Sequence, residues 1–226
     1  MAADILLYNQ GIQYADGNIV THAATYPASG SWTTGDIVLE QTSTTRLSGW
    51  KRITTGSGNV LGTDWVYCSN LISGTAQATT SGTSITFTGI PSWAKRITIS
   101  FVGVGTSGTS IKQVQIGSGS VTTSGYTASC SLISGAGSAT LSTATTGFVM
   151  ESQVAANRVH GLMVLTLENS ATNTWAESHT AAVTDLPGTL LGGGSISLAG
   201  VLDRVVITTV NGTDTFAAGA INLMWE

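Results

Sequence analysis

Charge is what this sequence lacks most. Eight residues are Lys or Arg and twelve are Asp or Glu, 9% of the 226, against about 25% in an ordinary globular chain. Nucleic-acid binding needs a basic stripe that displaces phosphate counterions. The few cations cluster only as Lys51-Arg52 and Lys95-Arg96, which excludes nucleic acid and disfavours an anionic membrane surface. Long apolar runs are missing too. Ser, Thr or Gly interrupts each within a few positions, whereas a membrane-spanning helix needs about 20 apolar residues in succession. The opening stretch Met1 to Asn9 has neither a basic region nor a cleavage box, so no secretion signal is expected.

Cysteine is scarce. Cys68 and Cys130 stand alone, too far apart in sequence for a metal clip or a redox pair, and are expected to be unpaired, small buried hydrophobes. His22, His160 and His179 show no metal spacing, and no Ser carries Gly at both −2 and +2, which excludes a hydrolase elbow. Gly103-Val-Gly-Thr-Ser-Gly108 matches the letters of a dinucleotide fingerprint, but a strand pattern follows it where a phosphate-facing helix is required. It reads as a hairpin loop. No catalytic residue, metal or cofactor is therefore expected, although the acidic residues are scattered and two of them converging in space would be invisible at this level.

What is present is β chemistry. Ser and Thr supply about a quarter of the chain, 42% of it is hydrophobic and 28 residues are Gly, so disorder is excluded. Helical windows are broken throughout, while short β-branched runs between turns recur. The clearest strands are 36–42, 50–54, 65–68, 84–87, 95–104, 111–116, 147–151, 160–168, 175–179, 204–210 and 218–225. Leu162-Met-Val-Leu-Thr-Leu167 is apolar on both faces and reads as a central strand covered on both sides. Asn211-Gly212 reads as the turn of a hairpin joining 204–210 to Thr215-Phe216. The expected architecture is all-β: a small β-hairpin module over 1–70, a Ser/Thr/Gly/Ala linker over 71–82, and an antiparallel, jelly-roll-like β-sandwich over 83–226.

Two sets of residues carry a resemblance. Gly35-Asp-Ile-Val38, Gly49-Trp50 and Gly62-Thr-Asp-Trp65 resemble a small module of bacteriophage tail-fibre and tail-spike chains. Gly89-Ile-Pro-Ser-Trp93, Arg96-Ile-Thr-Ile99, Gly105 to Ser110, Gln115-Ile-Gly117, Ser124-Gly-Tyr126, Asn173-Thr-Trp175, Leu202-Asp-Arg204 and Thr208 to Phe216, with Ala218 to Asn222, are similar to a C-terminal module of phage tail proteins. Together they span most of residues 30–226. The resemblance implies a virion protein made in the host cytoplasm, a homotrimer that joins other tail proteins and recognises a bacterial surface polysaccharide. A purely structural collar, baseplate or head-fibre role is the alternative. An enzyme ranks last, because no β-helix body lies between the two modules.

Flat aromatic faces stack on sugar rings, and loops at one end of a sandwich are free to vary. The expected glycan contacts are therefore Trp175 and Tyr126, with Asn173, Asn169 and Thr106 bonding sugar hydroxyls. The opposing reading for each tryptophan is core or subunit interface.

Overall fold

The computed structural model describes residues 6–8, 11–14, 16–40, 49–68, 71–135, 137–151, 154–155, 157–184 and 188–226. Every regular element among them is a strand, so the protein is all-β. The chain divides into two compact units, Met1–Leu71 and Ile72–Glu226.

In unit 1 the strands β1 (Leu6–Tyr8), β2 (Gly11–Gln13), β3 (Ile19–Ala23), β4 (Ile37–Glu40), β5 (Gly49–Arg52) and β6 (Trp65–Tyr67) form one sheet in chain order. Neighbours are antiparallel except β3 and β4, which run parallel. Val38, Trp50 and Trp65 form its core, with Tyr26, Trp32 and Tyr67 packed around them. Gly49 is obligatory at its position, because a Cβ there would lie 2.1 Å from the Val38 carbonyl oxygen.

Unit 2 holds β7 (Ile72–Ser73), β8 (Gln77–Ala78), β9 (Ile85–Thr88), β10 (Arg96–Thr106), β11 (Lys112–Ser118), β12 (Ser120–Val121) and β13 (Thr127–Ser134). It continues with β14 (Ala139–Ala144), β15 (Phe148–Met150), β16 (Arg158–Asn169), β17 (Thr174–Thr184), β18 (Gly188–Ser197), β19 (Arg204–Thr209) and β20 (Phe216–Trp225). Its large sheet runs β14-β13-β18-β17-β16-β10-β20-β7, with β8 also on β20; its small sheet runs β12-β11-β19-β9, with β15 on β11. All the pairs are antiparallel. Alternation places one side of each sheet inward. Ile97, Ile99 and Phe101 of β10 meet Val114 and Ile116 of β11 and Val205 and Ile207 of β19 in one continuous core. Each such side chain contributes about 1.5–3 kcal/mol on burial, and the result is a two-sheet sandwich.

Several sequence expectations change in three dimensions. Residues 71–82 are not a free linker, since β7 and β8 pair with β20 and the buried Thr79 hydroxyl donates to the Ala218 carbonyl at 2.6 Å. The Asn211-Gly212 turn does not close a hairpin. β19 belongs to the small sheet and β20 to the large one, so the turn carries the chain between layers, with Gly212 at φ +67° and its N–H donating to the Thr209 carbonyl at 3.0 Å. Residues 103–108 are not a hairpin loop either: 103–106 end β10, and the 107–111 connection passes from the large sheet to β11 in the small one rather than joining paired strands. β16 is central in its sheet, yet its outer face is open: Leu162 is 48% exposed.

Candidate functional site

The residues expected to bind a glycan do not share a surface. Tyr126 and Trp175 are each 2% exposed and belong to the core. The Tyr126 hydroxyl accepts from the Ile116 N–H at 2.8 Å and lies 3.0 Å from the Thr122 carbonyl as donor, while its ring meets Phe148 edge-on at 5.0 Å. Burial pushes its pKa up to about 12, against the opposing hydrogen bond from Ile116. Tyr126 thus pins the entry to β13 onto β11. Thr106 is buried at the end of β10. Only Asn169, whose Oδ1 accepts from the Ala171 N–H at 2.9 Å, and the partly buried Asn173, at φ +48°, reach solvent. A cavity of about 50 Å³ beside Trp175 and Asn173 has room for a few water molecules. A sugar stacked on Trp175 would need the β16–β17 turn to open.

The tryptophans as a set are packing residues. Trp93 and Trp225 lean on the unit 2 core, and Trp32, Trp50 and Trp65 build that of unit 1. A wider concavity, about 670 Å³, lies elsewhere. Thr127, Ser129, Thr143, Thr145 and Ser195 line it around Gly193 and Gly194, and no charged side chain contributes. Its volume falls within the usual range for ligand sites, and its polar groups are hydroxyls.

The residues that carry the resemblance in unit 1 prove to be one polar machine. Asp36 accepts from the Ile19 N–H at 2.8 Å and the Thr33 N–H at 2.7 Å, closing the turn before β4. Arg52, at the end of β5, is fully buried. Its guanidinium donates to the carbonyls of Thr54, Gly56 and Gly58 and to Asn59 Oδ1, and stands 5.4 Å from the Trp65 ring centroid. Asp64 accepts from the Val60 N–H at 2.9 Å and from the Thr54 hydroxyl. The Thr54 hydrogen bond, then that of Val60, hold its pKa below the usual carboxylate range against the opposing effect of burial, with a lesser contribution from the Arg52 charge. The motif is therefore a means of folding a loop, 53–64, around a cation.

One constellation escaped sequence reading. Cys130, Gly192 and His179 are cross-strand neighbours on β13, β18 and β17. Because Gly192 has no side chain, the His179 ring lies over it (a Cβ there would be 2.1 Å from Cε1) and reaches Cys130 Sγ with Nε2 at 3.3 Å. Nδ1 meets Glu177 Oε1 at 2.7 Å. The Glu151 N–H donates to the same sulfur at 3.4 Å, and the Ser142 hydroxyl donates to the Glu151 carboxylate. Burial pulls the His179 pKa down, but the hydrogen bonds to Cys130 and Glu177 and the charges of both outweigh it and lift it to about 9. Thiol, imidazole and carboxylate in this order form a nucleophile triad by distance. With Cys130 1% exposed, no substrate reaches the sulfur, and the group ties β13, β17, β18 and the end of β15 together.

The chain matches no family model, no curated protein and no solved structure. Among the described residues no group of His, Cys, Asp and Glu is arranged to hold a metal, and no helix is long and apolar enough to cross a membrane. Lys112, at the start of β11, is the other buried ionisable group of note; burial and then the Arg158 charge bring its amine down to about 8, with Asp214 opposing. Both thiols are free: Cys130 buried as expected, Cys68 exposed against expectation.

Proposed function

We propose that this chain is a non-catalytic tail-fibre-type virion subunit that meets a neutral bacterial surface polysaccharide through the hydroxyl-lined concavity of unit 2. The observation that carries the reading is the coincidence in unit 1: the motif residues that resemble a tail module, Gly35-Asp36, Gly49-Trp50 and Asp64-Trp65, are those that build its turns and core. The motif is thereby a signature of a particular small fold, attached here to a sandwich with a neutral groove.

Recognition moves from the loops near Trp175 to the groove lined by Thr127, Ser129, Thr143 and Ser195. An uncharged hydroxyl lining suits an uncharged sugar chain, and repeated weak sites on one particle gain avidity without new contacts. A glycan array probed with purified protein, alongside Ser129→Trp to fill the groove, tests this. Binding lost in the variant supports it; a blank array with the native chain overturns recognition.

A second reading, a purely structural virion component, is favoured by the burial of Trp175 and Tyr126, which takes the two aromatic faces expected to stack on sugar out of reach of a ligand. Immuno-electron microscopy of released particles separates the two: label at the tail tip favours receptor recognition, label at a collar or head favours structure, and unlabelled particles overturn both.

A further inference from the structure

The outer face of the large sheet alternates in size across six strands. One row runs Leu141 (β14), Ser131 (β13), Leu191 (β18), Thr180 (β17), Leu162 (β16), Ser100 (β10), each in register with the next. The three leucines are 68%, 45% and 48% exposed. The adjacent row runs Ala139, Ile133, Thr189, Ala182, His160, and ends at Val102, two residues along β10 from Ser100. Ile133 and Val102 are exposed as well. None of these twelve positions carries Asp, Glu, Lys or Arg, and the His160 Nδ1 already accepts from the Gly103 N–H at 3.2 Å.

We infer that this face is an isologous interface with a second copy of the chain. A twofold axis lying along the strands between β18 and β17 reverses the order of the row on the facing copy. Leu191 then stands over Thr180, Leu162 over Ser131 and Leu141 over Ser100, so every ridge meets a small hydroxyl residue. The same operation sets Val102 over Ala139, Thr189 over Ala182 and Ile133 over His160, so in this second row one pair brings two large side chains together. Isologous contact requires this self-complementarity, and aligned face-to-face packing is a normal arrangement for two sheets. The absence of charge matters equally, since a charged face meeting its own copy brings like charges together. A basic or acidic partner would leave these groups unmatched.

The area sets the strength. Six strands about 4.8 Å apart and two rows about 7 Å apart give a footprint of roughly 400 Å² per copy, about 800 Å² for the pair and below the roughly 1,200 Å² at which stable, specific interfaces begin. The pair is accordingly a weak, concentration-dependent dimer. Thr127, Ser129, Thr143 and Ser195 of the groove stand on this same outer face, one and two register steps beyond Ser131, Leu141 and Leu191, so the dimer and a glycan compete for it, and the inference does not rest on the virion reading.

Sedimentation equilibrium of the full chain up to about 100 µM should give a mass rising towards twice the 23.1 kDa of one chain. Leu191→Asp and Thr180→Lys should each weaken self-association about tenfold or more, with far-UV circular dichroism unchanged. Mixing the two variants should restore it, because the two positions face each other across the axis. Val201→Asp, an exposed site between β18 and β19 and outside both rows, should change nothing. A monomer at the highest concentration, a three-chain mass, an unaffected Leu191→Asp variant, or a mixture that fails to re-associate would each overturn the face or its symmetry.

Discussion

The two units reach stability by different routes. Unit 2 spreads its core over two sheets, with buried aliphatic and aromatic residues from β9 to β20 in one cluster. Among its described residues unit 1 has a core cluster of three buried apolar residues and sets a buried arginine beside them. Small units bury a smaller fraction of their surface, so a cation that satisfies three carbonyls and orders a loop does there what a second sheet does in unit 2. Tryptophan marks both, but Trp65 packs against a guanidinium while Trp175 sits in an aliphatic core.

The largest effect that tests this contrast should come from Trp175→Ala. Emptying that site should cost about 4 kcal/mol, lowering the melting of unit 2 and leaving that of unit 1 in place in a calorimetric scan with two resolved transitions. A variant that keeps its melting temperature would free Trp175 for ligand contact. Arg52→Ala is the mirror experiment. Three carbonyls lose a charged donor, so unit 1 should lose about 3 kcal/mol and its transition should fall while that of unit 2 stays put.

A smaller effect follows from the buried triad, and it belongs to unit 2 alone. The folded pKa of His179, about 9, lies above its ordinary 6.5, so folding favours the charged ring. Its contribution is complete below pH 6.5 and is lost as pH rises towards 9, on the order of 2–3 kcal/mol. Lys112 works the other way, because its folded pKa of about 8 lies below 10.5 and its effect enters only above pH 8. Urea midpoints between pH 6 and 8 should therefore fall with pH in the native chain and stay level in His179→Gln. The smallest expected difference concerns the thiols. Iodoacetamide should label Cys68 in the folded protein and both cysteines after unfolding, and Cys68→Ser should shift stability by less than about 0.5 kcal/mol.

Much of the fold was legible in the residues. Lys95 to Val104, His160 to Glu168 and Arg204 to Val210 read as strands because they are rich in β-branched and apolar residues, alternating in the first and apolar on both faces in the second, and they fall within or across β10, β16 and β19. Three long strands were not legible: β13 (TASCSLIS), β14 (ATLSTA) and β18 (GTLLGGGSIS). Their Ser, Gly and Ala content is that of a loop, and pairing in the sheet overrides local propensity. The glycines of β18 have a tertiary purpose that no local pattern contains, which is to leave room for His179 over Gly192.

The sequence by itself determined the all-β class, the scarcity of charge and hence the neutral surfaces, and the turn-forming motifs of unit 1, because these depend on composition and on spacings of a few residues. Tertiary structure alone decided which strands pair, that Asn211-Gly212 links two sheets, that Trp175 and Tyr126 turn inward, and that Cys130, Glu151, Glu177 and His179 meet. Those outcomes depend on side chains as far as 149 positions apart brought together by cross-strand register, and register is set by the packing of whole faces rather than by any single segment.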